Sequence, residues 1–347
     1  MAVERIRAIL VEVETRCNLA CIYCYNCWKA APGYPRGRLS TRKTIKMIRK
    51  MAKEAGADQI ALTGGEPLLR DDLPDIAAAL TLDGRSVSVL TNGMLMTPAW
   101  AEDLLKTGVK LFQLTLLSMQ EEVHDSHCGQ GAFKGIMQAL DILRAVGAQV
   151  AITVVVTSRT IDELPELMTF IRSIGQRSFL LNRYNPGGPK VADGTSGELM
   201  MDRAETERML RHAQEGAIRL GMSPVVAVPI PPCVIDRSQF PKVRFAGCSA
   251  ATNNAYYTLD PLGNVRMCNH SPVILGNIFK SHFLDLANGP ASTEWLTVKP
   301  DFCKPCPGWD ACKAGCRATV QQQGKPLTCL DPYVDANVDK AAFGFQK

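Results

Sequence analysis

Six short apolar runs recur along the first two-thirds of the chain, each followed by a stretch with helical periodicity. The runs are AILVEVE (8–14), QIALT (59–63), SVSVLT (86–91), KLFQLTLL (110–117), VAITVVV (150–156) and SFLLNRY (178–184). Several are rich in Val, Ile and Leu, as parallel strands covered on both faces must be. Helices are expected near 40–56, 71–80, 98–107, 133–146, 162–174 and 202–220. Ser40 and Thr41 stand where the first helix needs a cap, and Gly56 follows its end. A strand–helix unit repeated six times means a parallel sheet with crossover helices. It leaves an open doubly wound sheet or an incomplete barrel, and both put ligands at the C-terminal ends of the strands.

Immediately after the first strand the chain reads TRCNLACIYCYNCW, which places Cys17, Cys21, Cys24 and Cys27 in one loop. A disulfide knot, a zinc site and an iron–sulfur cluster compete for them. The chain has 347 residues, 13 of them cysteines, an odd number that full pairing cannot use. No secretory signal precedes them, since the N-terminus MAVERIRAILVEVETRC brings acids too early around too short an apolar core. A cytoplasmic location is expected, and thiols there point to metal or redox chemistry. Structural zinc favours C-x2-C pairs with a second pair elsewhere. Three thiolates on one loop instead suit three irons of a [4Fe–4S] cube, leaving the fourth open. Cys27 reads as a buried bystander.

C-x3-C-x2-C at this place, with Tyr23 before the third cysteine, resembles the motif of the radical S-adenosylmethionine (SAM) enzymes. The resemblance implies that Cys17, Cys21 and Cys24 hold a [4Fe–4S] cluster whose open iron chelates SAM. It implies reductive cleavage to a 5′-deoxyadenosyl radical that abstracts hydrogen from a substrate. It also implies a partial (β/α)6 TIM-like barrel. After the second strand comes TGGEP (63–67), where a glycine pair allows close backbone approach and Glu66 can meet an ammonium group. By resemblance Gly64, Gly65, Glu66 and Pro67 bind SAM's amino group. TNG (91–93) ends the third strand, and Asn92 is implied near SAM. Thr115 stands where relatives contact the ribose, and Asn182 is a candidate on the adenosine side. Relatives often place an arginine against SAM's carboxylate where EEVHDSHCGQGAF (121–133) has Cys128. Arg183 is a possible substitute, and Cys128 a candidate hydrogen-atom donor, because S–H bonds are weak.

The alternation stops near residue 221, and PVVAVPIPPC (224–233) reads as a proline-rich linker. The expected division is a barrel over 1–222, a linker over 223–232 and a small metal-rich domain over 233–347. NPGGPKVADGTSGE (185–198) reads as a glycine-rich loop, either a lid or disordered. YYTLDPLGNVRMCN (256–269) reads as a hairpin whose second strand delivers Cys268. From Cys233 to Cys329 there are eight cysteines in 97 residues. Cys248, Gly263, Cys268, Cys303, Cys306, Cys312, Cys316 and Cys329 have spacings that resemble the SPASM domain, the auxiliary-cluster module of many radical SAM enzymes. The resemblance implies that Cys248, Cys268 and Cys316 hold a first auxiliary cluster, with Cys233 or an open iron completing it. Cys303, Cys306, Cys312 and Cys329 then hold a second. Two zinc knuckles are the rival reading of these thiols.

A net charge of +5 with no basic block gives nucleic-acid binding no support, and no apolar stretch approaches a membrane span. Three clusters suggest net two-electron oxidation, with an auxiliary cluster taking an electron from the substrate radical. Similar enzymes mostly modify ribosomal peptides or sulfatases, and others oxidise aminocyclitols, sugars or tetrapyrrole side chains. Sulfatase maturases carry an Asp base after the hairpin cysteine; Asn269 stands here and cannot take a proton at neutral pH. The chain starts about seven residues before its first strand, so a leader-binding domain is not expected and a peptide would come with a separate recruiter. Oxidative peptide modification is the expected function, with small-molecule oxidation or epimerisation as the alternative. A flavodoxin- or ferredoxin-type donor would supply electrons. A three-cluster electron carrier is the non-enzyme rival, and TGGEP argues against it.

Overall fold

The computed structural model describes residues 2–26 and 33–336. The chain runs β1 (Ala8–Glu14), α1 (Thr41–Ala55), β2 (Gln59–Gly64), α2 (Leu73–Leu82), β3 (Ser86–Leu90), α3 (Pro98–Lys106), β4 (Leu111–Thr115) and α4 (Glu121–Cys128). It continues through α5 (Ala132–Ala145), β5 (Gln149–Val156), α6 (Leu164–Ser173), β6 (Ser178–Arg183), α7 (Gly188–Ala192), α8 (Arg203–Leu220), β7 (Ser223–Val226) and β8 (Arg244–Phe245). All seven residues of β1 are buried, which is why it carries no polar alternation beyond its two glutamates.

β1 to β8 lie side by side in chain order, every neighbouring pair parallel. A doubly wound sheet would reverse its order midway; a sequential order curls one way, so the incomplete barrel is the architecture adopted. Helices cover the outer face. On α1, Met47, Ile48, Met51 and Ala55 point inward at helical spacing. Gly56 ends α1 in the left-handed conformation at φ 65°, and its N–H caps the carbonyls of Ala52 and Lys53. Ser40 occupies the N-cap position without a side-chain cap bond; the Thr41 hydroxyl donates to Asp72 instead.

Three stretches differ from expectation. Ser223–Val226, at the head of the expected linker, is β7 and pairs with β6 through Phe179↔Pro224 and Leu180↔Val225. Burial of Val226 in the core outweighs the proline content around it. The 185–198 loop is ordered into α7 and a 3-10 turn at Ser196–Leu199. Residues 121–128 form α4, which sequence periodicity left unmarked because its buried face is two histidines and a cysteine.

The C-terminal region is built onto the barrel's edge. β9 (Tyr257–Leu259) pairs parallel with β1, and β10 (Asn264–Arg266) and β11 (Ile274–Asn277) continue the same sheet antiparallel. The expected hairpin is therefore β9–β10. Its turn is held by Asp260, whose carboxylate accepts the N–H groups of Leu262 and Asn264 at 2.9 Å each. Arg266 on β10 pairs with Glu12 on β1, both buried. One continuous apolar core includes Val11 and Leu62 of the barrel and Tyr257, Phe283 and Trp295 beyond it. Four short helices follow: α9 (Phe283–Ala287), α10 (Pro290–Thr297), α11 (Trp309–Cys312) and α12 (Arg317–Gln322). Among the described residues no helix is long and apolar enough to cross a membrane.

Candidate active site

β1 ends in a sharp turn built around Glu14. Its buried carboxylate accepts the N–H of Thr15 at 3.0 Å and of Arg16 at 3.1 Å, and pairs with the Arg16 and Arg38 guanidinium groups at 2.9 and 3.2 Å. Burial alone would push this carboxyl up; the bonds from Arg16 and the Arg38 charge outweigh it and hold it below the ordinary range. The turn throws Cys17, Cys21 and Cys24 out over the C-terminal end of the barrel, all three half-buried.

The TGGEP turn lies directly against this loop. The N–H of Gly65 donates to the Glu14 carbonyl and that of Glu66 to the Arg16 carbonyl, both at 2.8 Å. A methyl group on Gly64 would stand 2.3 Å from the Glu14 oxygen, and one on Gly65 would stand 2.1 Å from the Arg16 oxygen. The close approach that the glycine pair permits is thus to the cysteine loop's own backbone. Glu66 is turned inward at 1% exposure. Its carboxylate accepts the Leu68 N–H at 3.0 Å, the Thr91 hydroxyl at 2.6 Å and the Asn92 N–H at 2.9 Å. Three donors of the fold itself thus orient the carboxylate expected to meet an ammonium group. Its pKa is raised, because burial outweighs these three bonds. Pro67 is buried at the start of the 3-10 turn that follows.

Asn92 ties the third strand's turn to the cysteine loop: its amide nitrogen donates to Asn18 Oδ1 at 2.8 Å and lies 3.9 Å from Cys17 Sγ. On the other flank, Gly187 and Gly188 carry the ordered 185–198 segment against Tyr25 and Cys24. The Gln322 amide donates to the Tyr25 carbonyl at 2.8 Å. Beneath the loop, Cys128 is 4% exposed, its thiol 3.7 Å from the Tyr23 hydroxyl and its carbonyl 3.8 Å from Cys21 Sγ. Thr115 is half-buried at the end of β4, in register with Thr153. Asn182 spends its carbonyl oxygen on the N–H groups of Ala227 and Val228, at 3.2 and 3.1 Å. Arg183 is fully buried, 2.5 Å from Asp331, and so is committed to a carboxylate of the chain itself rather than to a ligand's. Cys27 lies outside the described residues.

The C-terminal thiols fall into two sets. Cys248, Cys268 and Cys316 form the first, as burial and the neighbouring Cys316 push Cys248 up to about 11 and Cys268 up to about 12. Asn185 donates toward Cys316 Sγ at 3.6 Å and contacts His270, whose ring stacks on Tyr25 at 4.2 Å. Cys233 is not in this set. It lines a cavity with Cys303, Cys306, Cys312 and Trp309. Burial and then the Cys312 and Cys303 thiols push Cys233 up to about 12. The expectation that Cys233 completes the first set is corrected: the turn after Pro231 and Pro232 aims it at the second. Leu330, next to Cys329, lines the same cavity. Among the described residues no three cysteine, histidine or carboxylate side chains close on a single-ion position. The donor chemistry around all three sites is thiol, the ligand type of iron–sulfur clusters. Asn18, Asn185, His270 and Asp331 carry much of this architecture, and sequence reasoning assigned none of them a role. Only Asn18, inside the cysteine run, could have been singled out.

A sequential parallel barrel that gathers a three-thiol loop, a glycine–acid turn and an asparagine turn at the ends of its first three strands defines a cluster-bearing α/β enzyme. Residues 11–171 match the Radical SAM superfamily. Those residues, most of the barrel, are a radical SAM domain, and the enzyme that carries it uses SAM and an iron–sulfur cluster. It is 27% identical to the AdoMet-dependent heme synthase of Methanosarcina barkeri, over 94% of this chain and 95% of that protein. It is 26% identical to the mycofactocin maturase MftC of Mycobacterium tuberculosis, over 92% of this chain and 81% of that one. Its fold is similar to that of Streptococcus suis SuiB bound to S-adenosylmethionine, with a TM-score of 0.73, 17% identity, and coverage of 95% of this chain and 77% of that one.

Proposed function

We propose that this enzyme oxidises a ribosomally made peptide, closing a crosslink or thioether or introducing a double bond. Cys17, Cys21 and Cys24 hold the catalytic cluster. Tyr23, the turn Gly64, Gly65, Glu66 and Pro67, and Asn92, Thr115 and Asn182 frame SAM. Bound there, cluster and SAM supply a 5′-deoxyadenosyl radical on one-electron reduction. The chain's own part is to keep that loop rigid and shielded from water, through the Glu14 and Glu66 bonds below it and Gly188 beside it. Cys248, Cys268 and Cys316 hold a first auxiliary cluster; Cys303, Cys306 and Cys312 hold a second, with Cys233 and Cys329 as its remaining thiols. Such clusters supply an acceptor for the substrate's second electron. A flavodoxin- or ferredoxin-type protein provides the reductant, and a separate protein recruits the peptide's leader. Cys128, packed under Tyr23, is the hydrogen-atom donor should the reaction be redox-neutral.

The observation that carries the oxidative reading is a contact series, Tyr25 to His270 to Asn185 to Cys316, which joins the catalytic loop to the first auxiliary thiols. Similarity to a peptide maturase along 92% of the chain supports the peptide. One finding favours a second reading, oxidation of a tetrapyrrole side chain: the heme synthase matches over nearly the whole of both chains. The test is mass spectrometry after anaerobic incubation of enzyme, SAM and reductant with peptides encoded beside the gene and, separately, with tetrapyrroles. Loss of two hydrogens from a peptide is expected. Conversion of the tetrapyrrole alone transfers the function to the second reading.

A further inference from the structure

Four arginines are essentially buried: Arg70, Arg183, Arg266 and Arg317. The first three each pair with a carboxylate, Asp72, Asp331 and Glu12 respectively. Arg317, 2% exposed, has no ion pair among the described residues. One of its nitrogens, Nη2, donates to the Leu327 carbonyl at 3.1 Å, while Nε and Nη1 have no hydrogen-bond partner among the described residues. A buried guanidinium with unmet N–H groups costs several kcal/mol, far more than a fold tolerates without compensation.

Its surroundings say what compensates. Arg317 follows Cys316, a member of the first thiol set, directly in the chain. Its guanidinium lies 5.9 Å from the Trp295 ring and 5.7 Å from the Trp309 ring. Trp309 lines the cavity of Cys233, Cys303, Cys306 and Cys312. Trp295 stands beside Cys248, its buried indole N–H facing that thiol. Burial lowers the Arg317 pKa; Cys248 of one set and Cys303 of the other oppose this most, and the Glu294 carboxylate, which makes no ion pair with it, opposes it less. Neutral thiols cannot balance this charge; thiolates that ligate iron, and the sulfides between the irons, can.

We propose that Arg317 is a shared positioning residue of both auxiliary clusters, its two unmet N–H groups donating to the sulfur of one cluster each. The inference rests on the auxiliary-cluster reading above. A fixed positive charge between two clusters stabilises their reduced states, so it sets both potentials together.

The test uses full-length protein in which Cys17, Cys21 and Cys24 are all Ala, so that only auxiliary signals remain. Iron content and potentiometric EPR titration are compared for this background, Arg317→Gln and Arg317→Lys. Removing the charge is expected to move both midpoint potentials to more negative values, with Arg317→Lys nearer the background. If Arg317→Gln fails to retain iron, retention of both clusters by Arg317→Lys supports the proposal. A shift in one potential alone, unmoved potentials with both clusters present, or loss of iron from Arg317→Lys overturns it. A background protein with no iron at all sinks the auxiliary-cluster reading itself.

Discussion

Gly188 presses so closely on Cys24 that a methyl group added to it would sit 2.0 Å from the Cys24 carbonyl oxygen, at a backbone φ of +55°. The segment after β6 is thus a backstop for the catalytic loop. Replacing Gly188 by Ala brings both a clash with backbone and a left-handed strain of roughly 1–3 kcal/mol. The loop has to shift. The expected outcome for Gly188→Ala is a drop in 5′-deoxyadenosine formation of about tenfold or more, since about 1.4 kcal/mol is a factor of ten. Iron held by the C-terminal thiols should be retained. A wild-type cleavage rate in a fully loaded Gly188→Ala protein would show that the segment does not brace the loop.

Replacing Cys17, Cys21 and Cys24 together by Ala removes every thiol proposed as a ligand of the catalytic cluster while leaving the C-terminal sets intact. SAM cleavage should vanish, and iron should fall from roughly 12 to roughly 8 per chain if all three clusters are cubane. Deoxyadenosine release at the wild-type rate by the triple variant contradicts the assignment. Loss of all iron would mean that the C-terminal thiols hold none.

The barrel was legible because it is written in a local code. Each strand from Ala8–Glu14 to Ser178–Arg183 is an apolar run, and the longer helices carry their own spacing and stop, as Gly56 shows. The cysteine spacing marked the loop for the same reason. What stayed hidden depends on pairs far apart in the chain. Arg183 looked available until Asp331, 148 residues on, was found against it. Glu66 was legible as an acid of the turn, but not the bonds from Thr91 and Asn92, on the next strand's turn, that hold it. Cys233 could not be allotted by spacing, because the hairpin and two helices between it and Cys303 decide which thiols it meets. β7 was missed because Pro224 and the prolines that follow it mask four residues whose strand character comes from pairing with β6.

His124, on α4, is 2% exposed, and its Nδ1 accepts the Leu117 N–H at 3.3 Å. Burial lowers its pKa from 6.5 to about 4, so the folded chain keeps it neutral. The sign follows from linkage. Between those two values the unfolded state binds the proton and the folded state does not, so folding free energy is lost as pH falls from about 6.5 toward 4. The loss is on the order of 3 kcal/mol at most. Denaturant titrations across this range should show it in wild type. His124→Gln should be less stable at pH 7 and should have a shallower pH dependence below 6.5; an unchanged slope would exclude His124 as its source.

Cys233 offers the sharpest test of how the auxiliary thiols are divided. Its thiol shares a cavity with Cys303, Cys306 and Cys312, while Cys248, Cys268 and Cys316 lie together elsewhere. Five thiols, counting Cys329, are then available to a second cluster that takes four, and the first has three. In the background where Cys17, Cys21 and Cys24 are Ala, Cys233→Ser should therefore alter the EPR signal assigned to the second cluster and leave the first unchanged. The assignment of signals comes from Cys268→Ser, which touches the first set only. Because Cys329 can take the vacant place, iron content in Cys233→Ser should match the background, whereas Cys233→Ser combined with Cys329→Ser should lose the second cluster outright. A Cys233→Ser protein whose first-cluster signal changes while the second stays put would return Cys233 to the first set and refute the grouping by cavity.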